Sequence, residues 1–220
     1  MHIAKETMSF LRELRENNNR EWFIANKNAY DKAQANVKDF ITALIGELTT
    51  FDPHINNEIK ASKCLFRIYR DIRFSKDKTP YKTWFAAGIS VDGRKLDGPE
   101  YYLHIGPENN FIAAGYWRPE KQHLEAIRQE IDYNSAELVK VLAEGDFTIA
   151  DLSVEDKLKR PPAGYTEDDP NIEVLKLKSF IIHRSLSDAE VTAPNALQNM
   201  VDITKRIYPF KQFIHQALDQ

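Results

Sequence analysis

Met8, Leu11 and Leu14 recur at helical spacing and stop at Asn17-Asn18-Asn19, where short polar side chains favour turns and caps. This predicts a short helix over 7–16. Trp22, Tyr30, Ala33, Val37, Phe40, Ile41, Leu44, Ile45 and Leu48 then make one apolar stripe ending at Phe51-Asp52-Pro53, the pattern of a long second helix. From Cys64 the period drops to two. Phe66, Ile68, Ile72 and Phe74 alternate with Arg67, Tyr69, Asp71 and Arg73, as in a half-buried strand. Further strands are expected over 84–91, 101–105 and 111–117, parted by the turn-rich segments DGRKLDGP and GPENN; an antiparallel meander is the simplest connection.

In the second half, Pro119 opens a helix carrying Leu124, Ile127 and Ile131. Asn134 with Glu137 three residues on reads as a variant capping box for another helix that ends near Gly145. Residues 146–173 hold eight acids against Lys157, Lys159 and Arg160, around Pro161-Pro162 and Gly164, which predicts an irregular acidic excursion. Asp169 suits the cap of a short helix, and Ser179 to His183 suggest one more strand. Pro194 opens a last helix, which Pro209 should kink or end. No repeat, low-complexity tract or Gly/Ser linker interrupts the chain. The expectation is a single α+β domain over 1–220, an antiparallel meander with helices from the N-terminal, middle and C-terminal segments packed on it.

With 220 residues, 42% of them hydrophobic, the chain can bury a sizeable core, so disorder is excluded as its main state. Thirty Lys and Arg against 33 Asp and Glu give a net charge of −3, too little positive field to hold duplex DNA or anionic lipid. The longest nearly apolar run, Phe111 to Trp117, is far short of the ~20 residues of a membrane helix. A single cysteine, Cys64, cannot form an intrachain disulfide or a multi-thiolate zinc site, and the charged start lacks a signal peptide's apolar run. A cytoplasmic protein is expected. Without HxH, HExxH, GxGxxG or GxxxxGK[ST] spacing, neither a metal nor a cofactor is expected.

Charge is nevertheless segregated. Between 60 and 82, eight cations stand against Asp71 and Asp77, a local +6 that leaves −9 for the remainder. Crowded cations repel, and a bound anion is the simplest relief. Arginine's planar fork suits carboxylate or phosphate. The candidate ligand-binding residues are therefore Arg67, Arg70, Arg73, Lys76, Lys78 and Lys82, with Tyr69, Tyr81 and Tyr102 lining the site. His104 is the candidate proton carrier for metal-free acid–base chemistry, because an imidazole titrates near neutrality. The structural alternative has the charges paired with acids or standing in water. Arg70 shares the face of Phe66, Ile68 and Ile72, so it should be partly buried against a carboxylate or a ligand anion. Strand alternation groups Arg67 and Tyr69 with Ala86, Gly88, Ser90, Tyr102 and His104 in a shallow polar cleft. A rival from another class is a non-catalytic interaction module that meets an acidic protein or a single nucleic-acid strand, with Tyr69, Tyr81 or Trp84 stacking on bases.

NNNREWF, FRIYRDIRFSKDKTPYKTWFAAGIS, YYLHI, KLKRPPAGY and LKSF together resemble the bacterial and fungal family catalogued as domain of unknown function 2461, over about 10–213. The resemblance implies one domain with no established activity, and it supplies no catalytic residues.

Overall fold

The first apolar repeat forms α1 (Lys5–Glu16), which buries Met8, Phe10, Leu11 and Leu14 along one side. The asparagines that follow have separate roles. Asn17 closes α1 by donating from its amide to the Glu13 carbonyl at 3.0 Å, and Asn19 caps α2 (Arg20–Ala25) by accepting from the Trp22 N–H at 2.9 Å. The stripe that predicts one long helix is split at Asn26. Its side chain donates to the Trp22 carbonyl at 2.9 Å and its backbone leaves helical geometry, so α3 (Lys27–Leu48) starts afresh; a short amide competing with the backbone is the cause. The apolar face of α3 packs against α1.

The computed structural model describes residues 1–219, and the chain forms two compact units. Met1–Lys95, Tyr102–Ile112 and Ser185–Asp202 make the first; Leu96–Tyr101, Ala113–Arg184 and the segment from Ile203 make the second. Four strands, β1 (Phe85–Ile89), β2 (Glu100–Ile105), β3 (Asn110–Tyr116) and β4 (Phe180–Leu186), pair in the order β1-β2-β3-β4. The class is α+β, and the sheet is the antiparallel meander its alternation predicts. Along β2, Tyr101, Leu103 and Ile105 are fully buried on one face, which turns Tyr102 and His104 to the other.

The strand expected from Cys64 to Phe74 does not form. A helical turn, α4 (Ala61–Cys64), is followed by two isolated antiparallel bridges, Leu65 to Ala87 and Tyr69 to Tyr81. Four steps along one segment thus face six along the other, and the two extra residues lie in a bulge between Lys82, whose N–H donates to the Ile68 carbonyl at 2.8 Å, and Ala86, whose carbonyl accepts from the Phe66 N–H at 2.9 Å. Burial still alternates from Phe66 to Arg73 and fails at Phe74. Ile68 is buried, but Phe74 is 94% exposed.

Within the second unit lie α5 (Lys121–Tyr133), α6 (Ser135–Glu144) and α7 (Ile172–Leu175). The capping box expected at Asn134 is absent, because its amide turns back to the Glu130 carboxylate at 2.9 Å. The acidic excursion satisfies its charges locally. Asp156 meets Arg118 at 3.0 Å and Lys178 at 2.9 Å, Glu173 meets Lys157 at 2.5 Å, and Glu167 meets Lys176 at 2.6 Å. A helix not anticipated from the sequence, α8 (Asp188–Thr192), is set by a Ser187–Glu190 capping box. The last helix, α9 (Ala196–Leu218), continues through Pro209 rather than ending there. Among the described residues no helix is long and apolar enough to cross a membrane.

Candidate functional site

The bulge is anchored from the N-terminal side of the first unit. The Asn18 side-chain amide pairs with the backbone of Tyr81 as a strand would, donating to its carbonyl at 2.9 Å and accepting from its N–H at 3.1 Å. The Phe23 ring lies flat on the Tyr81 ring, with centroids 4.0 Å apart and planes 13° apart. The two sequence segments NNNREWF and TPYKTW are thereby joined. Asn18→Asp should replace that donor with a second acceptor facing the Tyr81 carbonyl, destabilising the fold by about 2 kcal/mol. Thermal denaturation is expected to show a midpoint lower by roughly 4 to 8 °C.

Beside the anchor lies a cleft of about 550 Å³, lined by Arg15, Asn18, Arg70, Asp71, Asp77, Thr79, Tyr81, Lys82, Thr83 and Trp84. Three of the expected ligand-binding residues, Arg70, Tyr81 and Lys82, line it. Arg70 donates to Asp77 at 2.5 Å, to the Thr79 carbonyl at 3.2 Å and to the Thr79 hydroxyl. The Thr79 N–H, then Arg70 and the Thr79 hydroxyl, hold Asp77 ionised, with a pKa lowered to about 2. Arg73 binds Asp71 through two nitrogens, at 3.0 and 2.7 Å. Lys78 donates to the Ile72 carbonyl at 2.9 Å, and Lys76 is exposed. These contacts shape the 70–79 loop. Tyr81 is only 5% exposed, whereas Tyr69, at 50%, leans on it with centroids 5.5 Å apart.

Lys82 is different. Its ammonium donates to the Arg67 carbonyl at 3.0 Å and lies 4.7 Å from the Trp84 ring centre and 5.5 Å from that of Phe66. Burial lowers its pKa, and the charges of Arg67 and Arg94 lower it further. Arg94, in the turn after β1, is held by the Lys63 and Leu65 carbonyls at 2.7 and 3.0 Å. Three cations therefore converge at the bulge; among the described residues none of them makes a close ion pair with a carboxylate, and the acid that responds to them is Asp71, whose pKa is lowered by its bonds to Arg73 and further by the Arg67 charge.

Beyond Trp84 lies an aromatic layer. His104 stacks on Phe111 at 4.9 Å and 9° and contacts Trp84 at 4.7 Å and Tyr102 at 6.3 Å. Phe66 covers Tyr102 at 6.2 Å, in the place strand alternation gave to Arg67 and Tyr69. Burial holds the His104 pKa down to about 4, so the imidazole is neutral at physiological pH. Arg94, Phe66, Phe111 and Arg15 were not singled out from the sequence. Arg94 sits in DGRKLDGP, where its charge was visible but its proximity to Lys82 was not.

Among the described residues no group of three or more His, Cys, Asp and Glu is placed to hold a metal ion. No curated protein and no solved structure matches the chain. A family model does, over residues 6–213, and its description is conserved hypothetical protein. With nearly its whole length covered by that match, the chain belongs to the DUF2461 family of conserved hypothetical proteins.

Proposed function

We propose that the protein binds a small phosphate-bearing anion at the bulge, with Lys82 at the centre and Arg67 and Arg94 beside it. The observation that carries this reading is the convergence of those three cations with no carboxylate in an ion pair to any of them; burial lowers the Lys82 pKa most, and the charges of Arg67 and Arg94 lower it further. Arg70 and Arg73 already have Asp77 and Asp71 as partners, so they support the loop and leave the ligand to the cations that lack them. An anion there relieves mutual repulsion, and Arg67 adds a fork that fits two phosphate oxygens. Arg15, Asn18 and Thr83 offer further polar groups along the cleft. His104 takes part as a neutral imidazole. The place of action in this reading is the cytoplasm, where a lone thiol stays reduced.

Thermal denaturation with phosphate, pyrophosphate and sugar phosphates tests the reading. At 100 times the dissociation constant a ligand adds about 2.7 kcal/mol of stability, which is a rise of roughly 5 to 10 °C. Arg67→Lys should shrink that rise while leaving the ligand-free midpoint in place. If no anion raises the midpoint beyond the unspecific effect of sulfate, the proposal fails.

A further inference from the structure

The cleft that Lys82 lines is larger than a bare anion needs. Its volume of about 550 Å³ falls in the range of ~300 to 1,000 Å³ usual for small-molecule sites, so a phosphate on Lys82 leaves most of the wall to whatever the phosphate is attached to. That wall carries both signs. Asp71 and Asp77 line it with side chains 47% and 59% exposed. Hydrogen bonds from Arg73 hold Asp71 ionised, and those from the Thr79 N–H, Arg70 and the Thr79 hydroxyl hold Asp77 ionised. Arg15 lines the cleft from α1 with only loose contacts to acids, 3.7 Å to Glu16 and 3.5 Å to Glu108. Thr83 is half-buried, and among the described residues its hydroxyl makes no hydrogen bond.

We infer, resting on the anion-binding reading above, that the anion is the phosphate ester of a sugar or a related polyol, its phosphate at Lys82 and its hydroxyls at Asp71, Asp77, Thr83 and Arg15. Other ligands meet this wall badly. A second phosphate or a carboxylate would face two ionised acids, an ammonium group would face Arg15 and Arg70, and a hydrocarbon would cover donors and acceptors without satisfying them. A hydroxyl suits both signs, because it donates one hydrogen bond and accepts two. A stacked base would need a free ring, whereas Tyr81 lies flat against Phe23 and the Lys82 ammonium sits over Trp84.

The test is a set of calorimetric titrations with inorganic phosphate, butyl phosphate, glycerol phosphate, ribose phosphate, glucose phosphate, phosphoglycerate and phosphoethanolamine. At least one of the three neutral hydroxylated esters should bind about tenfold or more tightly than butyl phosphate, a gain that two ordinary hydrogen bonds supply. Thr83→Val keeps the shape of the side chain and removes its hydroxyl. It should cut that advantage about threefold or more, whereas Lys82→Met should weaken all the esters together. Butyl phosphate binding as tightly as every hydroxylated ester, or an advantage unchanged in folded Thr83→Val, overturns the inference and leaves the anion site standing. Phosphoglycerate or phosphoethanolamine binding tightest overturns it in favour of a ligand with a second charge. Should inorganic phosphate alone bind, the inference falls and the anion site stands; should nothing bind, both readings fall. If Thr83→Val does not fold, amide NMR of the wild type decides: the tightest hydroxylated ester must shift the Asp77 and Thr83 amide resonances more than butyl phosphate does, and equal shifts contradict the inference.

Discussion

Gly115→Ala is expected to cost about 4 kcal/mol and to lower the thermal midpoint by roughly 8 to 16 °C. Gly115 lies in β3 with φ +131°, a region that side-chain-bearing residues rarely adopt. A Cβ added there would stand 2.0 Å from the Phe180 carbonyl oxygen of β4. The strain and the clash act together, and the clash is with backbone, which cannot rotate out of the way. Only displacement of β3 from β4 relieves it. Equilibrium denaturation checks this, and a variant within about 1 kcal/mol of wild type would mean that the two strands separate easily.

The second large effect is on pH dependence, and it appears only when two opposed groups are uncoupled. The His104 pKa falls from 6.5 to about 4 on folding because burial disfavours its charged form. Between those values the unfolded chain takes up the proton first, so acidification from pH 6.5 to 4 removes about 3 kcal/mol. Glu100 acts in reverse. Burial raises its pKa from 4.5 to about 7, the unfolded chain loses that proton first, and stability drops by about 3 kcal/mol as pH climbs from 4.5 to 7. In the wild type the two slopes offset each other across the shared window. His104→Phe should unmask stability that falls as pH rises from 4.5 to 7, and Glu100→Gln should unmask stability that falls as pH drops from 6.5 to 4. Urea denaturation of the three proteins at several pH values measures the differences. Parallel profiles would contradict the burial of both groups.

Much of the fold is legible in the sequence because it depends on short-range periodicity. The stripe of α3, the alternation of β2 and the turn-rich segments between strands each mark their element within a few residues. The bulge is not legible. It arises from pairing at two distant bridges whose spacings differ, Leu65 with Ala87 and Tyr69 with Tyr81, and no local pattern encodes that mismatch. The consequence for the candidate site is direct. The density of cations between 60 and 82 locates the region, but alternation cannot tell that Arg70 and Arg73 find acids within their own loop while Lys82 meets Arg67 and Arg94 without one. The Ser187–Glu190 box that starts α8 was visible as a capping signature, yet the helix is so short that its apolar period is absent. Asn18 shows the same limit. Its residue type suggests a cap, and only the tertiary structure reveals a strand-like pairing with Tyr81.

The central claim is that Lys82, rather than the paired arginines of the neighbouring loop, holds an anion. Calorimetric titration of pyrophosphate into wild type, Lys82→Met and Arg73→Met at one fixed salt concentration tests it most directly. The account predicts one site in the wild type, affinity reduced about tenfold or more in Lys82→Met, and little change in Arg73→Met, whose guanidinium is matched by Asp71. Absence of binding in the wild type, or equal affinity in wild type and Lys82→Met, would contradict it.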